Sequence, residues 1–118
     1  MKGYYFITDS SLSKNGNRRD VLEANKAKVS IVQYRNKQGN SRELYEEALE
    51  LRQICRASLF VVNDRVDIAI AVKADGVHLG QEDLPFSAAR KLLGTEKIIG
   101  LTVHSLEEAL EAARLGAS

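Results

Sequence analysis

Cysteine is almost missing from this 118-residue sequence. Its single copy, Cys55, excludes an internal disulfide framework and a multi-cysteine metal site. A surplus of charge is missing too: 17 basic side chains stand against 16 acidic ones, a net of +1. That balance gives no reason to expect a nucleic-acid or membrane-surface partner. No apolar run approaches the length of a bilayer span. The opening residues, Met1 to Asp9, lack the basic region, long apolar stretch and small-residue cleavage site of a secretion signal. No linker, low-complexity tract or sequence-level repeat divides the chain. What remains is 44% hydrophobic, enough for a core, at a length ordinary for one domain. The expectation is one soluble, cytoplasmic domain over residues 1–118.

What is present alternates. Short β-branched and aromatic runs predict strands at Tyr4–Ile7, Val29–Val32, Leu59–Val62, Gly76–Leu79 and Lys97–Leu101. Between them the spacing is helical. From Ser41 to Ala57, Leu44, Ala48, Leu51, Ile54 and Cys55 share one face, and Glu43, Glu46, Glu47 and Glu50 hold the other. Ser41 is the predicted N-cap. Further helices are predicted from about Asp64 through Val72, over Ser87 to Leu93 with Gly94 as the stop, and over Ser105 to Leu115. The last has Ser105 and Glu108 as a capping box and Gly116 as its end. A weaker helix covers Arg18 to Lys28. Strand then helix, five times over, predicts βαβ units and a parallel sheet.

Four groups of residues point to chemistry at the carboxyl ends of those strands, where parallel α/β folds place their ligands. Gln33, Arg35 and Lys37 alternate, so they share one face of an extended strand. Two cations and an amide in a row suit an anion with many oxygens, although a solvated strand end has the same composition. Asn63-Asp64 follows the third strand, and is equally good turn and cap chemistry. His78-Leu79-Gly80-Gln81-Glu82-Asp83 ends the fourth strand with amide and acid groups on a loop. Asp64 and Asp83, on neighbouring strand ends, can share one Mg²⁺, a cation that takes one or two carboxylates and leaves the rest to water and phosphate. A basic row beside such a cation makes a pyrophosphate site. Thr102, at the end of the fifth strand, offers a hydroxyl. For His78 a ligand role and a packing role are equally supported, whereas His104 reads as a packing residue. Cys55 and the Tyr4-Tyr5-Phe6 run read as core.

These segments together resemble the thiamine phosphate synthase family. The resemblance rests on Gln33-x-Arg35-x-Lys37, Val62-Asn63-Asp64, the block Ala74-Asp75-Gly76-Val77-His78-Leu79-Gly80-Gln81-Glu82-Asp83, and Ile99-Gly100-Leu101-Thr102-Val103-His104-Ser105. Tyr5-Phe6-Ile7-Thr8-Asp9 matches in the first strand. The resemblance implies a (β/α)8 TIM-barrel, of which five βα units are present. It implies a transferase that joins hydroxymethylpyrimidine pyrophosphate to thiazole phosphate and releases pyrophosphate. Gln33, Arg35, Lys37 and Asn63 are implied at the pyrophosphate. Arg35, Lys37 and Asn63 would be the catalytic groups among them. His78, Gln81 and Thr102 are implied at the substrate, and Asp64 and Asp83 as Mg²⁺ ligands. No nucleophile is required, because the pyrophosphate departs before the thiazole nitrogen attacks.

The resemblance ends at the fifth unit, Leu115-Gly116-Ala117-Ser118. Strands six to eight, with the thiazole-phosphate loops, have no counterpart in the sequence. The expectation is a truncated or split barrel, completed by another chain or by a homo-oligomer. A flavodoxin-like open parallel sheet is the alternative. Two further functions compete: a thiazole tautomerase-like enzyme, and a phosphate-ligand binding module without turnover. The retained Gln33, Arg35, Lys37, Asp64 and Asp83 argue against the tautomerase.

Overall fold

The computed structural model describes residues 5–8, 16–102 and 105–117. Ten elements alternate along them: β1 (Tyr5–Ile7), α1 (Asn17–Lys26), β2 (Ile31–Tyr34), α2 (Ser41–Ile54), β3 (Leu59–Asn63), α3 (Val66–Ala71), β4 (Gly76–Leu79), α4 (Phe86–Leu93), β5 (Ile98–Leu101) and α5 (Leu106–Leu115). The five strands form one parallel sheet in the order β1-β2-β3-β4-β5. The expected α/β architecture with a parallel sheet is what the chain adopts. The sheet is open, with β1 and β5 at its edges among the described residues. The alternative expectation of an open parallel sheet is consistent with this, although the order is sequential and not the flavodoxin order 2-1-3-4-5.

A sequential parallel sheet with right-handed crossovers places its helices on one face. The burial pattern agrees. Val32, Tyr34, Phe60, Val62, Val77, Leu79 and Ile99 point from the strands into one apolar core with Val21, Leu44, Ala48, Leu51, Val66 and Ala89 of the helices. Phe60, Leu51, Leu79 and Ile99 are its largest fully buried side chains. Residues of opposite parity, among them Ile31, Gln33, Val61, Asn63, His78 and Ile98, line the other face, and no helical residue joins them there.

Local chemistry sets the element ends. Asn40, rather than Ser41, caps α2: its side chain accepts the Glu43 N–H at 2.9 Å, and the Glu43 carboxylate accepts the Asn40 N–H at 3.3 Å. The Ser41 hydroxyl instead accepts from the Arg65 guanidinium at 2.9 Å. Ser105 caps α5 as expected, accepting the Glu108 N–H at 3.1 Å, and Gly116 ends it in the left-handed region. Helix α3 starts at Val66, two residues later than Asp64. Strand β2 starts at Ile31, since its register against Tyr5 and Leu59 begins there. The predicted strand residue Tyr4 lies outside the described residues.

Amino-terminal ends of the strands are locked by backbone and carboxylate bonds. The Asp75 carboxylate accepts the Phe60 N–H at 2.8 Å, and its own N–H returns to the Phe60 carbonyl at 2.8 Å. Gly76 lies so close to β5 that a Cβ there would stand 2.1 Å from the Ile98 carbonyl oxygen. Cys55 is buried at the C-cap of α2, and burial pushes its thiol up from the ordinary value.

Candidate functional site

The strand register builds the site in rows. Ile7, Gln33, Val61, Gly76 and Ile98 pair across the sheet to form one row on the uncovered face. Asn63, His78 and Gly100 form the next row toward the carboxyl ends. A cavity of about 370 Å³ opens over both rows, lined by Gln33, Arg35, Asn63, His78 and Thr102 with an apolar floor of Ile31, Val61 and Ile98. Apolar floor and polar rim together suit a small ligand that is apolar on one side and polar on the other.

Gln33 is 2% exposed, and its side-chain oxygen accepts from the Asn63 amide at 3.1 Å. This bond joins β2 to β3 on the cavity side. Arg35 and Lys37 lie past the end of the β2 ladder and are exposed. Arg35 lines the cavity. Lys37 does not, but its charge reaches Asp64. The Arg35 backbone is clamped by Thr8, a fully buried residue of the first unit. Its hydroxyl accepts the Arg35 N–H at 3.0 Å and faces the Arg35 carbonyl at 3.4 Å.

Asp64 follows β3 at φ 65°, in the left-handed region that costs a non-glycine residue about 1–3 kcal/mol. The Arg65 N–H bonds back to the Asn63 carbonyl at 2.7 Å, and the Asp64 N–H goes to the His78 carbonyl at 2.8 Å. No side chain caps α3, so Asp64 is not there as a cap. Asp83 folds back to accept the Gly80 N–H at 2.7 Å. The two carboxyl groups meet. Burial, then the Asp83 charge and a hydrogen bond to it, push Asp64 above its ordinary value, while Lys37 and Arg65 pull it down. Two crowded carboxylates at the ends of adjacent strands are a donor set that a divalent cation relieves. Among the described residues no group of three or more His, Cys, Asp or Glu side chains forms a metal cluster. The Asp64–Asp83 pair is a set of two carboxylates, which some divalent cations complete with water and phosphate. Mg²⁺ is such a cation, and Asp64 and Asp83 would hold it.

His78 is half-buried, with Nε2 2.7 Å from the Thr102 hydroxyl oxygen. Burial lowers its pKa, and the Asp83 charge offsets this only in part, so the imidazole is neutral at physiological pH. Its ring lies across β5 because residue 100 is glycine: a Cβ there would stand 2.8 Å from Nδ1. Gln81 is placed differently from the expectation. Its amide donates to the Thr102 carbonyl at 2.5 Å, and it lines a separate groove of about 270 Å³ beside α5 with Asp83 and Leu84. His104 and Asp9 lie outside the described residues. Sequence reasoning missed the apolar floor, although the same period of two that aligned Gln33 with Arg35 extends back to Ile31, and from Asn63 to Val61.

A family model described as thiamine monophosphate synthase matches residues 4–118. The chain belongs to the thiamine monophosphate synthase family. It is 51% identical over 115 residues to a thiamine-phosphate synthase of Methanosarcina mazei, covering 97% of this chain and 48% of that protein. It is 48% identical over 116 residues to one of Chloroflexus aurantiacus, covering 96% and 53%. The solved structure of thiamine phosphate pyrophosphorylase from Pyrococcus furiosus superposes with a TM-score of 0.88 at 46% identity, covering 96% of this chain and 55% of that one. The chain thus spans about half the length of the relatives it matches. Among its described residues no helix is long and apolar enough to cross a membrane.

Proposed function

We propose that the chain is the pyrimidine- and pyrophosphate-binding half of a thiamine phosphate synthase-type transferase, a Mg²⁺-dependent enzyme of (β/α)8-barrel architecture. The observation that carries this is convergence. Gln33 and Arg35 meet Asn63 at one cavity, with Lys37 and the Asp64–Asp83 pair beside it, all at the carboxyl ends of β2, β3 and β4. Sequential strands with helices on one face support the barrel. The open edges and the exposed leucines of α5, with Leu106 at 76%, support a covering segment that the described residues do not supply.

In the proposed reaction the bond between the pyrimidine methylene carbon and the pyrophosphate oxygen breaks first. Pyrophosphate departs with the electron pair and leaves a pyrimidine methyl cation. The thiazole nitrogen then donates its lone pair to that carbon. Mg²⁺ held by Asp64 and Asp83 would neutralise the charge gathering on the departing phosphates. Arg35 offers a planar fork to phosphate oxygens and Lys37 a mobile point charge. Asn63, fixed by Gln33, orients an amide toward the same group. His78, kept neutral by burial, lines the cavity without setting a positive charge against the cation. The apolar floor excludes water that would capture the cation.

The test is product formation. The chain is mixed with hydroxymethylpyrimidine pyrophosphate, thiazole phosphate and Mg²⁺, and thiamine phosphate is sought by mass. Product that vanishes on chelation supports the transferase. A second reading is a Mg²⁺-dependent binding module, since the described residues leave the sheet edges and the cavity face uncovered. Tight binding of the pyrimidine pyrophosphate without product would select it.

A further inference from the structure

Arg35 and Lys37 are the cations on which that reading depends, yet no strand ladder holds them, because β2 ends at Tyr34. Thr8 holds the Arg35 backbone, and the side chains on either side of Arg35, Tyr34 and Asn36, are held from the other face. The Tyr34 hydroxyl donates to Glu47 Oε1 at 2.6 Å, and Asn36 Nδ2 donates to the same oxygen at 3.2 Å. Glu47 Oε2 accepts from Asn17 Nδ2 of α1 at 3.4 Å. The other end of the Asn36 side chain accepts the Gln38 N–H at 2.9 Å and starts the turn into α2. In an extended segment neighbouring side chains point to opposite faces. Fixing residues 34 and 36 on the helix side therefore turns Gln33 and Arg35, which both line it, toward the cavity.

We propose that Glu47 is a positioning residue for pyrophosphate binding, holding Arg35 on the cavity side through its bonds to Tyr34 and Asn36. The inference rests on the pyrophosphate reading of the site. Glu47 does not line the cavity, so it acts through the segment and not on the ligand. An ionised carboxylate suits the role, since it only accepts and donors reach it from β2, from the loop after it and from α1. Glutamine keeps the volume but offers one accepting oxygen, and its amide nitrogen would face a donor. Burial and the bond to Glu47 push the Tyr34 phenol well above its ordinary value, which keeps it a donor. Helix α2 is a firm base for the anchor: a capping box fixes its start, and Leu44, Ala48 and Leu51 are buried in the core.

The experiment uses inorganic pyrophosphate with Mg²⁺ as the calorimetric probe. It compares the parent chain with Glu47→Gln, Arg35→Ala and Cys55→Ala, the last a core change at the far end of α2. Amide hydrogen exchange at Arg35 and Gln38 is followed in each. Glu47→Gln is expected to weaken binding by about ten-fold, the scale on which outer partners of ligating groups act. It should also speed exchange at Gln38, while Cys55→Ala binds as the parent does. Parent-like binding and exchange in Glu47→Gln would overturn the proposal. So would an equal loss in Cys55→Ala, which would reduce the effect to general loosening. If Arg35→Ala binds as the parent does, the pyrophosphate reading itself fails and the functional part of this inference falls with it, even where Gln38 exchange has changed.

Discussion

The β3–β4 pair carries an aspartate at each end, and the two are used in opposite ways. At the amino end, Asp75 satisfies a backbone N–H of Phe60 and stands 3.9 Å from the Arg52 guanidinium. At the carboxyl end, Asp64 sits in a strained backbone conformation and crowds a second carboxylate. One aspartate is paired with donors and the other is set against a carboxylate. In parallel βα architectures the amino end of the sheet is where stability concentrates and the carboxyl end is where chemistry concentrates.

Substitutions at the two ends should separate cleanly. The largest effect is expected at the amino end, from Gly76→Ala. Its methyl group would press on the Ile98 carbonyl, a backbone atom that cannot swing away, and the loss should reach about 3 kcal/mol by denaturant unfolding. Asp75→Ala should follow at about 2 kcal/mol, because it orphans the Phe60 N–H. If Asp75→Ala also abolished Mg²⁺-dependent binding in folded protein, the division of labour would be wrong. At the carboxyl end, Arg35→Ala should leave unfolding unchanged and weaken pyrophosphate binding by about 1.5–3 kcal/mol, the range for a hydrogen bond to a charged group.

Asp64→Asn carries the smallest and most telling change. Without metal it should raise stability at neutral pH by a few tenths of a kcal/mol, because a repulsion between partly exposed carboxylates is removed. The sign follows from linkage. A carboxyl raised in the folded state contributes stability while protonated, and loses it as pH climbs from the unfolded value of 3.8 through the folded one. The parent should therefore weaken across that window in chelator, and Asp64→Asn should weaken less. Stabilisation of the parent by Mg²⁺ should be largely absent from the variant. A variant less stable than the parent in chelator would mean that Asp64 supports the fold. His78 adds a limb at higher pH. Its lowered value means that stability falls as pH drops below the ordinary 6.5, and Thr102→Val should leave that dependence on burial in place.

Every strand and helix of the described chain was legible, the strands as β-branched and aromatic runs and the helices by spacing, caps and stops. Their ends were less so. Asn40 and Ser41 are both competent caps, and only the reciprocal bond with Glu43 chooses between them. Strand β2 begins two residues late because pairing with β1 and β3, not β-branching, decides where a ladder starts. In the site, alternation from Gln33 to Lys37 was readable because it is local. The turn of Gln81 toward the Thr102 carbonyl was not, since it depends on how the loop from Gly80 to Asp83 folds on itself. Glu47 was hidden for a similar reason. Its sequence neighbours Glu43, Glu46 and Glu50 make it look like one more solvated acid, and its partners lie 11 to 30 residues away.

Gly100 gives the cavity a single point of adjustment. The width available to a ring beside His78 is set by one hydrogen atom where any other residue would put carbon. A methyl at that position would act as a wedge, driving the imidazole off β5 and away from Thr102. The shape of the cavity can therefore be retuned from the strand next door, without altering Gln33, Arg35 or Asn63.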